Sequence, residues 1–378
     1  MIATPPTPLD QFRTAVMADA EAQQYLAEPY DPAEFEARAL AWATAHGIAL
    51  AAADLAEANR SAPAPPMRTD RPPLGWLPVS FSSTPEPAVD WLHFADISPN
   101  TPFFQDAIRE ASYRPFNRLF RTATPIASLP GQADREAPTG FIFHMSRCGS
   151  TLVSQMLGAV PGHVSISEAP ALDALLQCRF TDQEAHVDAL RGLVHAHRRG
   201  AERLFVKLDS WHTRALPLLR RAFPRTPWIF LYRDPVEVIV SHLRQRGVQT
   251  VPGMVPLAWF DLLPEDANLP DRVFIARVLE RICSAVIENG RENGLLVDYA
   301  ELPEAFFERI LPHFGIAPDA AAGAAMTAAA GNHSKTPGIR FHADAQTKQR
   351  AADAELRAIV ERYLAPVFAQ LEATRAAA

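Results

Sequence analysis

The chain is poor in cysteine. Its three cysteines, Cys148, Cys178 and Cys283, are widely spaced and odd in number. This excludes a disulfide framework and matches no zinc-ligand spacing. Long apolar runs are also missing, and nothing approaches the roughly 18 consecutive apolar residues of a membrane span. The opening Met-Ile-Ala-Thr-Pro-Pro-Thr-Pro has no basic stretch ahead of an apolar one, so no secretory signal is expected. Positive charge is not in excess: 36 Lys and Arg stand against 43 Asp and Glu, a formal charge of −7. That balance argues against a nucleic-acid partner, although it leaves room for a local basic cleft around a polyanion. No internal repeat is visible. A hydrophobic content of 48% and a charged content of 21% are ordinary for a soluble globular protein. At 378 residues the chain can hold two or three units.

Composition divides the sequence. Residues 8–59 are Ala-rich with helical spacing (Phe12, Val16, Tyr25, Leu26, Phe35, Leu40, Trp42, Ile48) and read as a small helical domain. Residues 60–76 hold five prolines and read as a linker. Residues 77–137 contain Val89–Phe94 and a helix near Phe103–Phe120, an accessory segment. From 138 to 378, short apolar strands at 140–144, 164–167, 204–208, 227–232 and 295–298 alternate with helices, which argues for a parallel α/β sheet. Leu356, Ile359, Val360, Tyr363, Leu364 and Val367 form a helical core pattern, and Asp319–Gly331 is an Ala-rich helix or linker. The pair His195-Ala-His197 suits an exposed helix face better than a metal site.

The richest stretch runs from Gly140 to Val153. A buried strand, Phe141-Ile142-Phe143, leads into the tight loop Met145–Ser150, and Leu152, Val153, Met156 and Leu157 then form one helix face. Strand, loop and helix aim backbone N–H groups at an anion, and the helix terminus adds about half a positive charge. Ser150 and Thr151 add hydroxyls, and Arg147 adds a fork suited to phosphate or sulfate. The nucleoside-triphosphate loop Gly-x-x-x-x-Gly-Lys-Ser/Thr is not met: the loop has no Lys, and Gly149 is its one glycine. Cys148 lies near the helix N-terminus, where a thiol pKa falls, but position 154 is Ser, so the Cys-x5-Arg pattern of cysteine phosphatases is absent.

A second apolar strand, Trp228–Tyr232, ends at Arg233. Pro235 suits the first turn of a helix, and Ser241 follows Arg233 by eight residues, nearly two turns along that helix. Arg233 and Ser241 can line one groove and make a second phosphate site.

Together these segments resemble the sulfotransferases that use 3′-phosphoadenosine 5′-phosphosulfate (PAPS), over roughly residues 138–315. The resemblance implies a P-loop-type parallel sheet flanked by helices, with an all-helical N-terminal region. It implies that Arg147, Cys148, Gly149, Ser150 and Thr151 hold the 5′-phosphosulfate and that Arg233 and Ser241 hold the 3′-phosphate. Leu296-Val-Asp-Tyr299-Ala-Glu-Leu302 resembles a third family element. Three positions depart from the pattern: Ser146 and Cys148 replace the commoner Pro and Ser, and Ala300 displaces the acidic residue by one place. Residues 8–59 look like the helical domain of nitrogen-fixation-associated proteins, also used as leader peptides, which implies a peptide or protein partner; a helical cap is the plainer reading. Animal secretory sulfotransferases usually carry a membrane anchor. None is read here, so a cytoplasmic location is expected.

Sulfuryl transfer needs a base for the acceptor hydroxyl and a cation at the leaving oxygen. Val164–Ser167 reads as a strand ending at Glu168, at the carboxyl edge of the sheet where ligands bind. In the tyrosylprotein branch a catalytic Glu holds the corresponding place; as a base, Glu168 would need a pKa raised by partial burial. Its plainer role is a cap or salt bridge. Lys207 ends the strand Phe205-Val-Lys207, an unusual place for Lys unless paired or functional. The same branch has a Lys here that stabilises the leaving group; pairing with Asp209 or Asp298 is the alternative. His212 is the competing base. Tyr299 contacts the adenine in the family or is ordinary core. Lys335 and Arg340, in a late loop, reach the 3′-phosphate or are solvated.

The leading reading is transfer from PAPS to a hydroxyl acceptor: small molecule, glycan, lipid or peptide tyrosine. One rival is a phosphotransferase using ATP or GTP, with Asp209 or Asp234 on magnesium. The other is a non-catalytic nucleotide-binding module that recruits a peptide.

Overall fold

The structure is a computed structural model, and it describes residues 5–60, 66–68, 71–129, 137–331 and 345–377. Lys335 and Arg340 lie outside the described residues. The chain forms two compact units, Met1–Gln132 with Ala169–Gly200, and Ala133–Glu168 with Ala201–Ala378.

The first unit begins with four helices, Pro8–Met17, Ala20–Ala27, Pro32–Ala45 and Ala52–Arg60. Their starts are written locally. Thr7 Oγ1 accepts the Asp10 N–H at 3.2 Å while the Asp10 carboxylate accepts the Thr7 N–H, and Asp19 and Asp31 cap the next two helices. Three antiparallel strands follow, β1 (Trp76–Ser82), β2 (Ala88–His93) and β3 (Thr122–Pro125), in the order β1-β2-β3. The Phe103–Phe120 helix is two helices, Phe104–Tyr113 and Pro115–Leu119. Pro115 forces the preceding Arg114 out of the helical region, to ψ 129°.

The N-terminal helices share a core with this sheet. Phe12 packs on Trp42 and Phe120, and the Trp76 indole N–H donates to the buried Gln23 side chain at 2.7 Å. Helices Pro170–Gln177 and Gln183–Ala196 belong to the same unit. His197, expected on an exposed face, is instead buried: its Nδ1–H donates to Leu193 O and its ring meets Phe104 edge-on. Burial pushes its pKa down to about 4.

The second unit holds the α/β fold the sequence calls for. Its strands are β4 (Gly140–His144), β5 (His163–Ser167), β6 (Arg203–Lys207), β7 (Trp228–Tyr232) and β8 (Gly294–Asp298). They are parallel, in the order β5-β6-β4-β7-β8. Every residue of β4 and β7 is buried, which explains why both read as unbroken apolar runs. From β4 the chain winds outward to β5 and returns to β6 on one side, then places β7 and β8 on the other. The crevice for ligands in such sheets lies at the carboxyl ends, where the winding reverses beside β4. Among the described residues no helix is long and apolar enough to cross a membrane.

Candidate active site

Register places the key residues. Lys207 pairs with Ser167 on one side and Ile142 on the other, and the Glu168 N–H donates to Lys207 O at 2.8 Å. The ends of β4, β5 and β6 thus bring His144, Glu168 and Lys207 to one edge. On the far side of β4, His144 pairs with Leu231, so Arg233 emerges one strand away.

The loop after β4 is left-handed at Ser146 (φ 84°), Arg147 (φ 55°) and Gly149 (φ 83°). Such backbone costs about 1–3 kcal/mol per non-glycine residue and persists only where its surroundings fix it. Here the Met145 N–H and the Cys148 thiol both donate to Leu231 O, at 3.0 and 3.1 Å. The Ser146 N–H donates to His144 Nδ1 at 3.1 Å, and Arg147 Nη2 donates to Gln245 O at 2.8 Å. The helix Ser150–Gly158 starts at Gly149 with no side-chain cap, and its first N–H groups have no intrahelical partner. Ser150 and Thr151 are buried at this start. The Cys148 side chain is buried, and burial pushes its thiol up to about 11, the reverse of the expected fall.

Glu168 is itself left-handed, at φ 54°. Its Oε1 accepts from Lys207 Nζ and lies 3.5 Å from His144 Nε2. The Lys207 side chain is 1% exposed and that of Glu168 is 22% exposed, so the pair has one open side. Burial alone would raise the Glu168 carboxyl, but the Lys207 ammonium and the His144 proton outweigh it and hold the carboxyl well below the usual range. The raised pKa expected of a base is therefore not found. The pairing with Glu168 explains how Lys207 tolerates burial at a strand end. Beneath it, Ser154 Oγ bonds Ser165 and Ser167 Oγ at 2.8 and 2.7 Å, which fixes β5 to the helix after the loop.

Arg233 is buried at the end of β7. Its Nε donates to Glu237 Oε2 at 2.7 Å, and its guanidinium lies 4.1 Å from the Tyr299 ring centroid. Tyr299 opens a short turn after β8. Ser241 sits half-buried on the helix Pro235–Arg244, which carries Pro235 at its first position. Asp234 accepts the Glu237 N–H and so serves as that helix's cap. His212 is spent locally as well: its Nδ1 accepts the Asp209 N–H at 3.2 Å, and its ring packs against Trp259.

His144 escaped the sequence reading. Its signal was the same as that of Lys207, a polar side chain closing an apolar strand. Glu237 escaped too, although its i,i+4 spacing from Arg233 was in view.

Three solved structures show what the chain is similar to. A sulfotransferase from Mycobacterium tuberculosis is 16% identical over 61% of this chain and 77% of its own, with a TM-score of 0.37. One from Mycobacterium avium is 16% identical over 63% and 78%, with a TM-score of 0.40. A sulfotransferase domain from the curacin biosynthetic pathway is 16% identical over 61% and 98%, with a TM-score of 0.41. No curated protein matches the chain. Residues 138–319, which supply the whole parallel sheet and the side chains at its carboxyl edge, match the model of the sulfotransferase family.

Proposed function

We propose that this protein moves a sulfuryl group from PAPS to a hydroxyl acceptor. The observation that carries the reading is the Glu168–Lys207 pair at the ends of β5 and β6, beside a left-handed loop and an uncapped helix start. The family match supports sulfuryl transfer in general; the donor is inferred from the residues. A cradle of N–H groups with Arg147 suits a phosphosulfate. Arg233, stacked on Tyr299, suits a second phosphate and an adenine nearby.

PAPS supplies a sulfur made electrophilic by its bond to the 5′-phosphate. Glu168 takes the proton of the acceptor hydroxyl as the new oxygen–sulfur bond forms. The bond from sulfur to the phosphate oxygen breaks, and adenosine 3′,5′-bisphosphate leaves. Lys207 meets the charge that grows on that oxygen. In the free protein Lys207 is spent on Glu168, so drawing Lys207 toward the phosphate restores the basicity of the carboxylate. Donor binding thereby readies the base.

Calorimetry tests the reading. Adenosine 3′,5′-bisphosphate should bind far more tightly than AMP or magnesium-ATP. Preference for magnesium-ATP would replace the reading with phosphoryl transfer, although Asp234, one of the two carboxylates that reaction would use, is engaged as a helix cap.

A further inference from the structure

We infer that His144 is a positioning residue that holds Oε1 of Glu168, leaving Oε2 as the atom that takes the acceptor's proton. The inference rests on the reading of Glu168 as the base.

The tautomer of His144 follows from its neighbours. Nδ1 accepts the Ser146 N–H at 3.1 Å, so the ring proton sits on Nε2. That N–H donates to Leu208 O at 2.9 Å, and Nε2 lies 3.5 Å from Glu168 Oε1. Burial and the Lys207 charge both push the imidazole pKa down, which keeps the ring neutral. The charged groups around it are Glu168 at the end of β5 and Lys207 at the end of β6, with Arg147 of the loop acting on Glu168.

Glu168 Oε1 thus accepts from Lys207 Nζ and lies 3.5 Å from His144 Nε2, at the end of β4. Among the described residues Oε2 makes no hydrogen bond, and the carboxylate has one open side. If Lys207 alone fixed the carboxylate, its move to the leaving oxygen would release the base when the base is needed. His144 does not move with Lys207, because Ser146 and Leu208 hold its ring from both ends. It keeps the carboxylate aimed through the transfer.

Two substitutions separate this role from plain loop support. In His144→Asn the side-chain oxygen can replace Nδ1 toward Ser146, but no donor reaches Glu168. In His144→Gln the amide nitrogen can replace Nε2 toward Glu168, but the Ser146 acceptor is lost. The first readout is release of adenosine 3′,5′-bisphosphate from PAPS, with 2-naphthol or water as acceptor. His144→Asn should lose about 10- to 100-fold in kcat with KM for PAPS unchanged, and His144→Gln should keep most of the rate. The second readout needs no turnover: the Glu168 carboxyl is titrated by carbon NMR in the free protein. Its pKa should rise in His144→Asn and stay near wild type in His144→Gln. The opposite ranking, with His144→Gln the damaged variant, would reduce His144 to an anchor for Ser146 and overturn the proposal. Unchanged titration in both variants would overturn it as well. A wild-type protein that releases nothing from PAPS, yet shows the titration shift in His144→Asn alone, would sink the sulfuryl-transfer reading while the hold of His144 on Glu168 stood.

Discussion

The Tyr299 ring fills the space that a side chain at position 149 would need. A Cβ on Gly149 would lie 2.9 Å from Tyr299 Cδ2 and 2.9 Å from Leu302 Cδ1. The same ring carries the Arg233 guanidinium at 4.1 Å. One aromatic side chain therefore joins the anion loop, the end of β7 and the turn after β8.

Gly149→Ala should break this junction. The left-handed backbone costs an L-residue about 1–2 kcal/mol, and the added methyl must displace Tyr299 or Leu302. We expect a lower melting temperature and a marked loss of affinity for adenosine 3′,5′-bisphosphate. Calorimetry and a melting curve check both, and unchanged affinity would remove the loop from the binding site.

Arg233→Ala should weaken adenosine 3′,5′-bisphosphate far more than AMP, by about 2–3 kcal/mol for a charge-assisted contact. The variant also strands Glu237, whose side chain is only 10% exposed. A stability loss is therefore expected beside the affinity loss. Adding Glu237→Gln should recover stability without recovering the phosphate preference. Equal weakening of both nucleotides would count against a 3′-phosphate role.

Transfer should survive a chelator. The charges of PAPS are met by Arg147, Lys207, Arg233 and the helix start, so no ion is required to balance them. Activity assays with and without EDTA decide the point, and a strict magnesium requirement would favour phosphoryl transfer.

Much of this was legible in the chain. All five strands of the parallel sheet announced themselves as apolar runs, and Glu168, Lys207 and Arg233 stood out as polar residues closing such runs. What failed was non-local. Nothing in Phe141-Ile-Phe-His144 says that β6 lies beside β4 and β5 beside β6, and only that order sets His144 against Glu168. The antiparallel sheet was missed because β1 is interrupted by Pro78 and a register shift, while β3 has four residues and ends in proline. The helix Pro170–Gln177 gave no sign that it packs on β1. The Cys148 thiol was misjudged because proximity to a helix start was weighed without burial, which here dominates.

Stability should fall as pH drops from 7 to 5. His93 and His197 are buried, with pKa values pushed down to about 4, mainly by burial. In each case the unfolded state binds the proton more readily, so the stabilisation is complete above about pH 6.5 and is lost as pH falls toward 4. By pH 5 each histidine should cost about 2 kcal/mol, before most carboxylates protonate. Urea unfolding at the two pH values measures the slope. His197→Leu should make it shallower, and an unchanged slope would show that His197 binds its proton equally well in the folded and unfolded states.

Glu168→Gln should act on the acceptor and spare the nucleotide. The amide keeps the shape and removes the basic oxygen, and a general base contributes about 10²–10⁴-fold to turnover. We expect kcat to fall by that order. Affinity for adenosine 3′,5′-bisphosphate should hold or improve, because Lys207 no longer spends its charge on the carboxylate. The pH profile adds a second check. A base works deprotonated, and the free carboxyl lies below the usual range because of Lys207 and His144. The acid limb of kcat/KM should therefore fall below about pH 4, the ordinary range for Glu. With donor bound and Lys207 drawn to the phosphate, the acid limb of kcat should sit higher. A merely structural Glu168 behaves differently: Glu168→Gln would melt earlier while its folded fraction turned over at the wild-type rate. Melting and single-turnover transfer measured on one sample separate the two cases, and a normal single-turnover rate would take the base role away from Glu168.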